Sequence, residues 1–199
     1  MLAQSLGIAR ISPGDILRQH VASGDALGRE VSEVMGCGGL VCDATVNRIV
    51  MERMAGHCNK GFLLDGYPRT LNQAHELVGY LQSRGAEVSV IQLLVDREVV
   101  EARLSGRREC SKCGALYHLV WKRPVLSGVC DFDGSILIRR EEDSEEGISR
   151  RLLEFGRESE PALEFLRGRG YRCIPVRGGD DAPEATALKI AAHFGKIMP

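Results

Sequence analysis

The residues best suited to chemistry lie directly after a short apolar run. Residues 61–64, Gly-Phe-Leu-Leu, are typical of a buried parallel strand, and Asp65 and Arg69 follow them. The carboxyl ends of parallel strands are where open sheets bind ligands. A carboxylate there can hold a metal ion through water, and a guanidinium can bind a phosphate through two hydrogen bonds. The pair therefore predicts a phosphate site, although a cap, a turn or a surface charge would also explain either residue.

Three cysteines and an aspartate follow the spacing of a metal site. Cys110 and Cys113 form a C-x2-C pair, and after sixteen intervening residues Cys130 and Asp133 form C-x2-D. Three thiolates and one carboxylate on two tight turns suit tetrahedral Zn2+. No general base is evident, so the site is expected to be structural, stabilising a lobe too small for its own core. The alternative is incidental spacing, with Asp133 only a turn residue.

Arginines flank the cysteine segment on both sides: Arg103, Arg107, Arg108, Arg139, Arg140, Arg150 and Arg151. Guanidinium groups that converge from two sides can hold a polyphosphate and neutralise transferring charge. Taken alone, such a set more often forms a solvated face paired with acids, and four glutamates lie between residues 141 and 146. Arg18, one turn into a helix that begins near Ser12, could bring an anion to the helix N-terminus, but ordinary capping explains that start equally well.

The elements expected to position these residues alternate between strand and helix. Apolar runs at 8–11, 61–64, 88–95 and 171–176 predict strands, and helical patterns lie between most of them. Ser12 is expected to cap a helix with Pro13 at its first position. Cys42-Asp43 is expected to cap a second helix, and Asp96 a later one. From 107 to 143 the pattern changes to cysteines, glycines and short strands, which predicts a small inserted lobe.

Composition limits the classes of protein that this chain can be. A chain of 199 residues, 44% of them hydrophobic, can form one core with one or two small lobes. The net charge of -1 gives no global attraction to nucleic acid or to a membrane surface. A nucleic-acid module built on the metal lobe, with Trp121 for stacking, is therefore the weakest interpretation. Without an apolar leader, the seven cysteines favour thiols or metal ligands, and the cytoplasm is the expected location.

Several short motifs occur in an order that is typical of one protein family. They are Ile11-Ser-Pro-Gly-Asp15, Gly38-Gly-Leu-Val41, Phe62-Leu-Leu-Asp-Gly-Tyr-Pro-Arg-Thr70 with Gln73, Gly106-Arg-Arg108, the cysteine pairs, and Arg140 to Arg151. Together they resemble the adenylate kinase family, specifically its bacterial form with a zinc-binding lid. The resemblance runs nearly end to end, and the longest string is highly specific. It implies an α/β fold with a P-loop, nucleoside-monophosphate-kinase-like parallel sheet core, a helical lobe for the monophosphate and a small zinc lid. The implied boundaries are 1–11, 42–106 and 144–199 for the core, 12–41 for the lobe and 107–143 for the lid.

The family's activity is reversible phosphoryl transfer from ATP to AMP, giving two ADP, with Mg2+ bound to ATP and a monomeric enzyme. The resemblance assigns catalysis to Arg69, Arg107, Arg140, Arg151 and Asp65, with Asp65 orienting water on magnesium. It assigns AMP binding to Pro13, Arg18, Gly39, Leu40, Val41, Gly66, Tyr67, Pro68, Arg69, Gln73, Arg140 and Arg151. It assigns ATP binding to Arg103 and Arg107, and to Leu116 and Tyr117 through their backbone. The zinc ligands are Cys110, Cys113, Cys130 and Asp133.

The sequence also departs from the family pattern. Nothing in it matches the glycine-rich phosphate loop G-x-x-G-x-G-K-G-T, and Met1 aligns inside the helix that follows that loop. About 15 to 20 residues, one strand and its loop, are then expected upstream, and the strand is central in the family. Its loss should leave two sheet halves with unpaired edges. Pro13, Gly39 and Asp180 stand where the family often has threonine, lysine and lysine. The leading hypothesis is an adenylate kinase with too late a start, and the alternative is an inactive nucleotide-binding paralogue.

Overall fold

A computed structural model describes residues 2–36, 41–56, 61–179 and 183–194 of the chain. The helices are α1 (Leu2–Leu6), α2 (Pro13–Ser23), α3 (Ala26–Gly36), α4 (Asp43–Ala55), α5 (Leu71–Gln82), α6 (Arg97–Ser105), α7 (Glu145–Glu154), α8 (Glu160–Gly168) and α9 (Pro183–Ala192). A 3-10 turn (Glu141–Asp143) precedes α7, and a π-helical turn (Phe155–Ser159) joins α7 to α8. None of the helices in these ranges has the length and apolarity needed to cross a membrane.

The strands are β1 (Ala9–Ile11), β2 (Phe62–Leu64), β3 (Ser89–Leu94), β4 (Arg107–Cys110), β5 (Leu116–His118), β6 (Leu137–Ile138) and β7 (Arg172–Arg177). β1 pairs with β2 in parallel, and β3 pairs with β7 in parallel, as two separate sheets. β4 lies between β5 and β6 in an antiparallel three-stranded sheet. The expected parallel α/β core and the small inserted lobe between α6 and α7 are both present in the described residues.

The largest apolar cluster lies where α2, α4 and α5 cover the β1–β2 pair. α4 contributes Val46, Ile49, Val50 and Met54, spaced so that one helical face enters the core, and the last two are completely buried. Ile11 joins the cluster from β1, and it aligns with the last residue of β2. The carboxyl ends of both strands are thus held together, which fixes the position of the residues that follow β2.

Helix starts follow the sequence expectations only in part. Ser12 is the N-cap of α2, its Oγ accepts from the Asp15 backbone N–H at 3.4 Å, and Pro13 takes the first helical turn, as predicted. Asp43 stands at the start of α4 but caps nothing there; its carboxylate accepts from Thr70 Oγ1 and from the Gln73 side-chain amide at 2.8 and 2.7 Å. The expected cap is therefore a link between α4 and α5.

Candidate functional site

A tight turn after β2 presents Arg69. Asp65 N–H donates to the Ile11 carbonyl at 2.9 Å and extends the β1–β2 ladder by one bond. Gly66 follows with φ +74°, and its carbonyl accepts from Arg69 Nε at 3.0 Å. The positive φ favours glycine at this position, and a Cβ on Gly66 would lie 2.9 Å from Arg69 Nη2, so that the guanidinium would have to shift.

Buried polar groups on α5 hold this turn. Gln73 Oε1 accepts from the Arg69 backbone N–H at 2.8 Å, and Thr70 Oγ1 caps α5 by accepting from Gln73 N–H at 3.1 Å. Tyr67 is buried, and its hydroxyl donates to Asn47 Oδ1 at 2.7 Å. Burial first, and then the charges of Glu76 and Asp43, raise the pKa of Tyr67. The turn is fixed before any ligand arrives.

The other residues that the resemblance assigns to AMP binding differ in burial and position. Pro13 is buried at the start of α2, the Tyr67-Pro68 peptide bond is cis, and Val41 packs on the core cluster. Gly39 and Leu40 lie outside the described residues.

Four arginine side chains approach the carboxylates of the 3-10 turn before α7, and a fifth, Arg139, donates to the Asp143 backbone carbonyl. Asp143 is fully buried, and its carboxylate accepts from Arg107 Nε and Nη2 at 2.7 and 2.5 Å. Arg151 Nη1 lies 3.7 Å from the same carboxylate. Glu142 Oε1 lies 3.1 Å from Arg18 Nη1 and 3.8 Å from Arg140 Nη1. The predicted arginines of α2, β4 and α7 are thus brought together around these carboxylates, and Arg140 also donates to Glu109. The sequence named Glu142 among the acids that could pair with these arginines, but it did not predict Asp143.

Positive charge is crowded at this point. Burial, followed by repulsion from Arg107 and Arg69, lowers the pKa of Arg151. Burial also lowers the pKa of Arg69; there the attraction of Asp65 opposes the shift and the charge of Arg18 adds to it. A lowered arginine pKa means that the charged form is under-compensated by its surroundings. An arriving polyanion would relieve that imbalance.

Asp65 carries a partner that the sequence did not predict. Arg10, in the middle of β1, donates from Nε and Nη2 to Asp65 Oδ2 at 2.9 and 2.6 Å. Its Nη1 donates to Asp15 Oδ2 at 2.5 Å, and Arg18 Nη2 donates to Asp15 Oδ1 at 2.5 Å. Burial opposes ionisation of Asp15, but the hydrogen bonds from Arg18 and Arg10 outweigh it and lower its pKa. The only sequence signal for Arg10 was a charged residue inside a strand.

The predicted metal ligands converge in the small antiparallel lobe. The ligand atoms of Cys110, Cys113, Cys130 and Asp133 all lie within 4.8 Å of one another. Cys113 Sγ and Cys130 Sγ are 3.6 Å apart, and Cys110 Sγ is 3.3 Å from Asp133 Oδ1. Tetrahedral zinc with Zn–S bonds of about 2.3 Å separates two sulfurs by about 3.8 Å. The donor set and its spacing therefore fit Zn2+.

Residues expected to meet a second nucleotide lie at the junction of this lobe with α6. The Arg103 guanidinium lies 5.9 Å from the Trp121 ring centroid, and its Nη2 donates to the Gly179 carbonyl. Leu116 is exposed. The Tyr117 side chain is buried, and its hydroxyl lies 3.5 Å from Cys130 Sγ and accepts from Asp131 N–H. The Tyr117 ring therefore belongs to the metal lobe, and its backbone pairs with Arg108 of β4.

Comparisons with known proteins agree with one another. A family model described as "Adenylate kinase" matches residues 1–171. A protein named adenylate kinase from Trichlorobacter lovleyi is 46% identical over 180 residues, covering 89% of this chain and 84% of the relative. One from Anaeromyxobacter dehalogenans is 42% identical over 172 residues, covering 85% and 80%. One from Acidothermus cellulolyticus is 39% identical over 199 residues, covering 98% and 92%.

Proposed function

The chain belongs to the adenylate kinase family, and from that premise we propose how its residues carry out the reaction. Its activity is the reversible transfer of a phosphoryl group from ATP to AMP, giving two ADP. The enzyme names of its relatives favour this over the inactive nucleotide-binding paralogue. The observation that carries the proposal is the convergence of Arg18, Arg107, Arg140 and Arg151 on one turn.

The arginines act by charge stabilisation rather than by a covalent step. In-line phosphoryl transfer needs positioning of the two nucleotides and compensation of charge on the transferring oxygens. Arg69 and Arg151, already under-compensated, would bind the transferring phosphate, with Arg107 and Arg140 beside them. Arg18 would hold the AMP phosphate at the start of α2. Glu142 would hold Arg18, and Asp143 would hold Arg107, while no nucleotide is bound.

The remaining assigned residues complete the two nucleotide sites. AMP would be bounded by Pro13, the segment Gly39 to Val41, the turn Gly66 to Pro68, and Gln73. ATP would be met by Arg103, Arg107 and the backbone of Leu116 and Tyr117.

The carboxylate of Asp65 fits the magnesium ion that accompanies ATP. Its side chain is 52% exposed at the end of β2, and carboxylate oxygens suit a hard divalent cation. Bound Mg2+ would neutralise charge on the phosphates of ATP. Asp65 would orient a water on that ion.

The cysteine lobe is proposed as a lid stabilised by structural Zn2+. The convergent donor set supports the metal, and the small buried cluster of Cys110, Tyr117 and Cys130 supports its structural role. We assign residues 107–143 to this lid, 12–41 to the monophosphate lobe, and 1–11, 42–106 and 144–199 to the core. Closure of the lid would exclude water from the transferring group.

One more parallel strand is proposed to pair between β2 and β3 in the active enzyme. Parallel strands are normally buried on both faces. The described β1–β2 and β3–β7 pairs are instead separate, and on β3 Leu93 and Leu94 are 50% and 39% exposed. An inserted strand would join the two sheets and cover those side chains. It would also supply the phosphate loop that the 199-residue sequence does not contain.

A cytoplasmic, monomeric enzyme remains our proposal for the cellular form. The described Cys42 and Cys173 are free thiols, which suits a reducing compartment. The net charge of -1 supports nucleotides, rather than nucleic acid, as the partners.

The function is tested by measuring ADP formation from ATP and AMP with two matched variants. Arg151→Ala removes a half-buried guanidinium at the convergence point and should lower kcat about 10²- to 10³-fold, as for other transition-state donors. Arg157→Ala removes a guanidinium whose side chain is 80% exposed on the π-helical turn, and kcat should be unchanged. Equal kcat values in the two variants would overturn the proposed role of the arginines.

A further inference from the structure

The carboxylate assigned to the magnesium site already holds a cation of this chain. Arg10 donates two hydrogen bonds to Asp65 Oδ2, at 2.9 and 2.6 Å, and the two side chains are 48% and 52% exposed. The bonds join residues that are 55 positions apart, so they depend on the β1–β2 register rather than on local sequence. The pairing of β1 with β2 in the core therefore positions Arg10 beside Asp65.

A guanidinium and a hydrated divalent ion make opposing demands on one carboxylate. Both need its oxygens as acceptors, and their positive charges repel each other at distances of a few Å. The exposed ion pair is weak enough to be broken by a divalent ion. A metal ion that binds Asp65 must therefore displace Arg10, and this lowers the affinity of Asp65 for the metal.

A second anchor keeps Arg10 in place when the first contact is lost. Its Nη1 donates to Asp15 Oδ2, and Asp15 is itself held by Arg18. The hydrogen bonds to Asp65 and Asp15 raise the pKa of Arg10 even though burial acts against them. When the contact with Asp65 is broken, the hydrogen bond to Asp15 keeps the Arg10 guanidinium close to Asp65.

We propose that Arg10 is a resident counter-ion of Asp65 that weakens its binding of a divalent cation. This inference rests on the proposed metal role of Asp65. It makes Arg10 a positioning residue rather than a catalytic one, because it touches the carboxylate and not the reacting groups.

The test is direct binding of Mn2+ to the zinc-loaded 199-residue chain, without nucleotide, with free Mn2+ followed by electron paramagnetic resonance. Arg10→Gln should bind about fivefold more tightly than the unsubstituted chain, because a nearby positive charge is removed. Arg10→Lys, which keeps the charge but loses the planar fork, should lie between them. Added Mg2+ should compete for the same site.

Two controls decide where the gain comes from. Arg97→Gln removes the same charge from an exposed pair with Glu101 on α6 and should leave Mn2+ affinity unchanged. In the Asp65→Asn background, Arg10→Gln should give no gain. Equal affinity of Arg10→Gln and the unsubstituted chain, or a gain that survives Asp65→Asn, would overturn the inference.

The binding measurement is independent of turnover. If ADP formation is absent even from an enzyme that carries the proposed additional strand and phosphate loop, but the Asp65-dependent gain is present, the proposed function fails and the counter-ion role stands. If ADP forms and the gain is absent, the counter-ion role fails alone.

Discussion

At the scale of single residues, the clearest test is Asp143, which is fully buried against Arg107. Asp143→Asn leaves the guanidinium with a neutral acceptor in a dry site. Removing one partner of a buried pair costs about 3 kcal/mol of unfolding free energy. Urea denaturation should show that loss for Asp143→Asn. Glu101→Gln, which breaks the exposed pair on α6, should change the unfolding free energy by less than about 0.5 kcal/mol. Similar values for the two variants would contradict the role of Asp143.

Asp15 gives a prediction for the acid limb of stability. Arg18 and Arg10 hold its pKa below the ordinary 3.8 despite burial. A depressed carboxylate pKa adds stability that is complete above the unfolded value and is lost as the pH falls through the folded one. The difference in unfolding free energy between the unsubstituted chain and Asp15→Asn should therefore be largest near neutral pH and shrink below pH 3.8. Urea titrations at several pH values measure it, and a difference that does not vary with pH would be inconsistent with this coupling.

At the scale of elements, β4, β5 and β6 should depend on the metal. Their shared buried cluster is small, so most of their stability is expected from ligation. Cys113→Ser or chelation should accelerate amide exchange in these three strands, while β3 and β7 keep their protection. Zinc content and hydrogen exchange by mass spectrometry measure both effects. Cys42→Ser changes an exposed thiol outside the lobe and should alter neither.

Local sequence patterns predicted the helices and strands well. They did not predict the contacts between residues that are far apart in the chain. Ser12 and Pro13 specify the start of α2 within a few residues, and the string from Phe62 to Thr70 specifies a strand and its turn. Asp43 was predicted to cap α4 because it stands at the start of that helix. The sequence cannot show that its carboxylate instead accepts hydrogen bonds from Thr70 and Gln73.

The same reason explains why the sequence did not predict Asp143, the particular partner of Glu142, or the role of Arg10. Glu142 meets Arg18 across 124 positions, and Arg10 meets Asp65 across 55. Ionic partners at such separation are set by packing, not by any periodicity of the chain. The arginines themselves were predicted because their type and spacing match a family pattern. The structure adds the carboxylates that balance their positive charge.

At the scale of the whole molecule, Glu142 links α2, in the proposed monophosphate lobe, to Arg140, in the proposed lid. Its Oε1 lies between Arg18 of α2 and Arg140, where a phosphate oxygen would compete for the same donors. Glu142→Gln removes that competing charge and should tighten AMP binding about fivefold, a gain of roughly 1 kcal/mol. Isothermal titration with AMP alone measures the affinity without any turnover.

Glu141→Gln is the matched control, because it makes the same charge change on the same turn at an exposed side chain. Its AMP affinity should stay near that of the unsubstituted chain. Equal gains in both variants would mean that AMP responds to the net charge of the turn rather than to the Arg18 contact. Weaker AMP binding in Glu142→Gln would mean that the carboxylate positions Arg18 for the phosphate, and the idea of a competing anion would then be wrong.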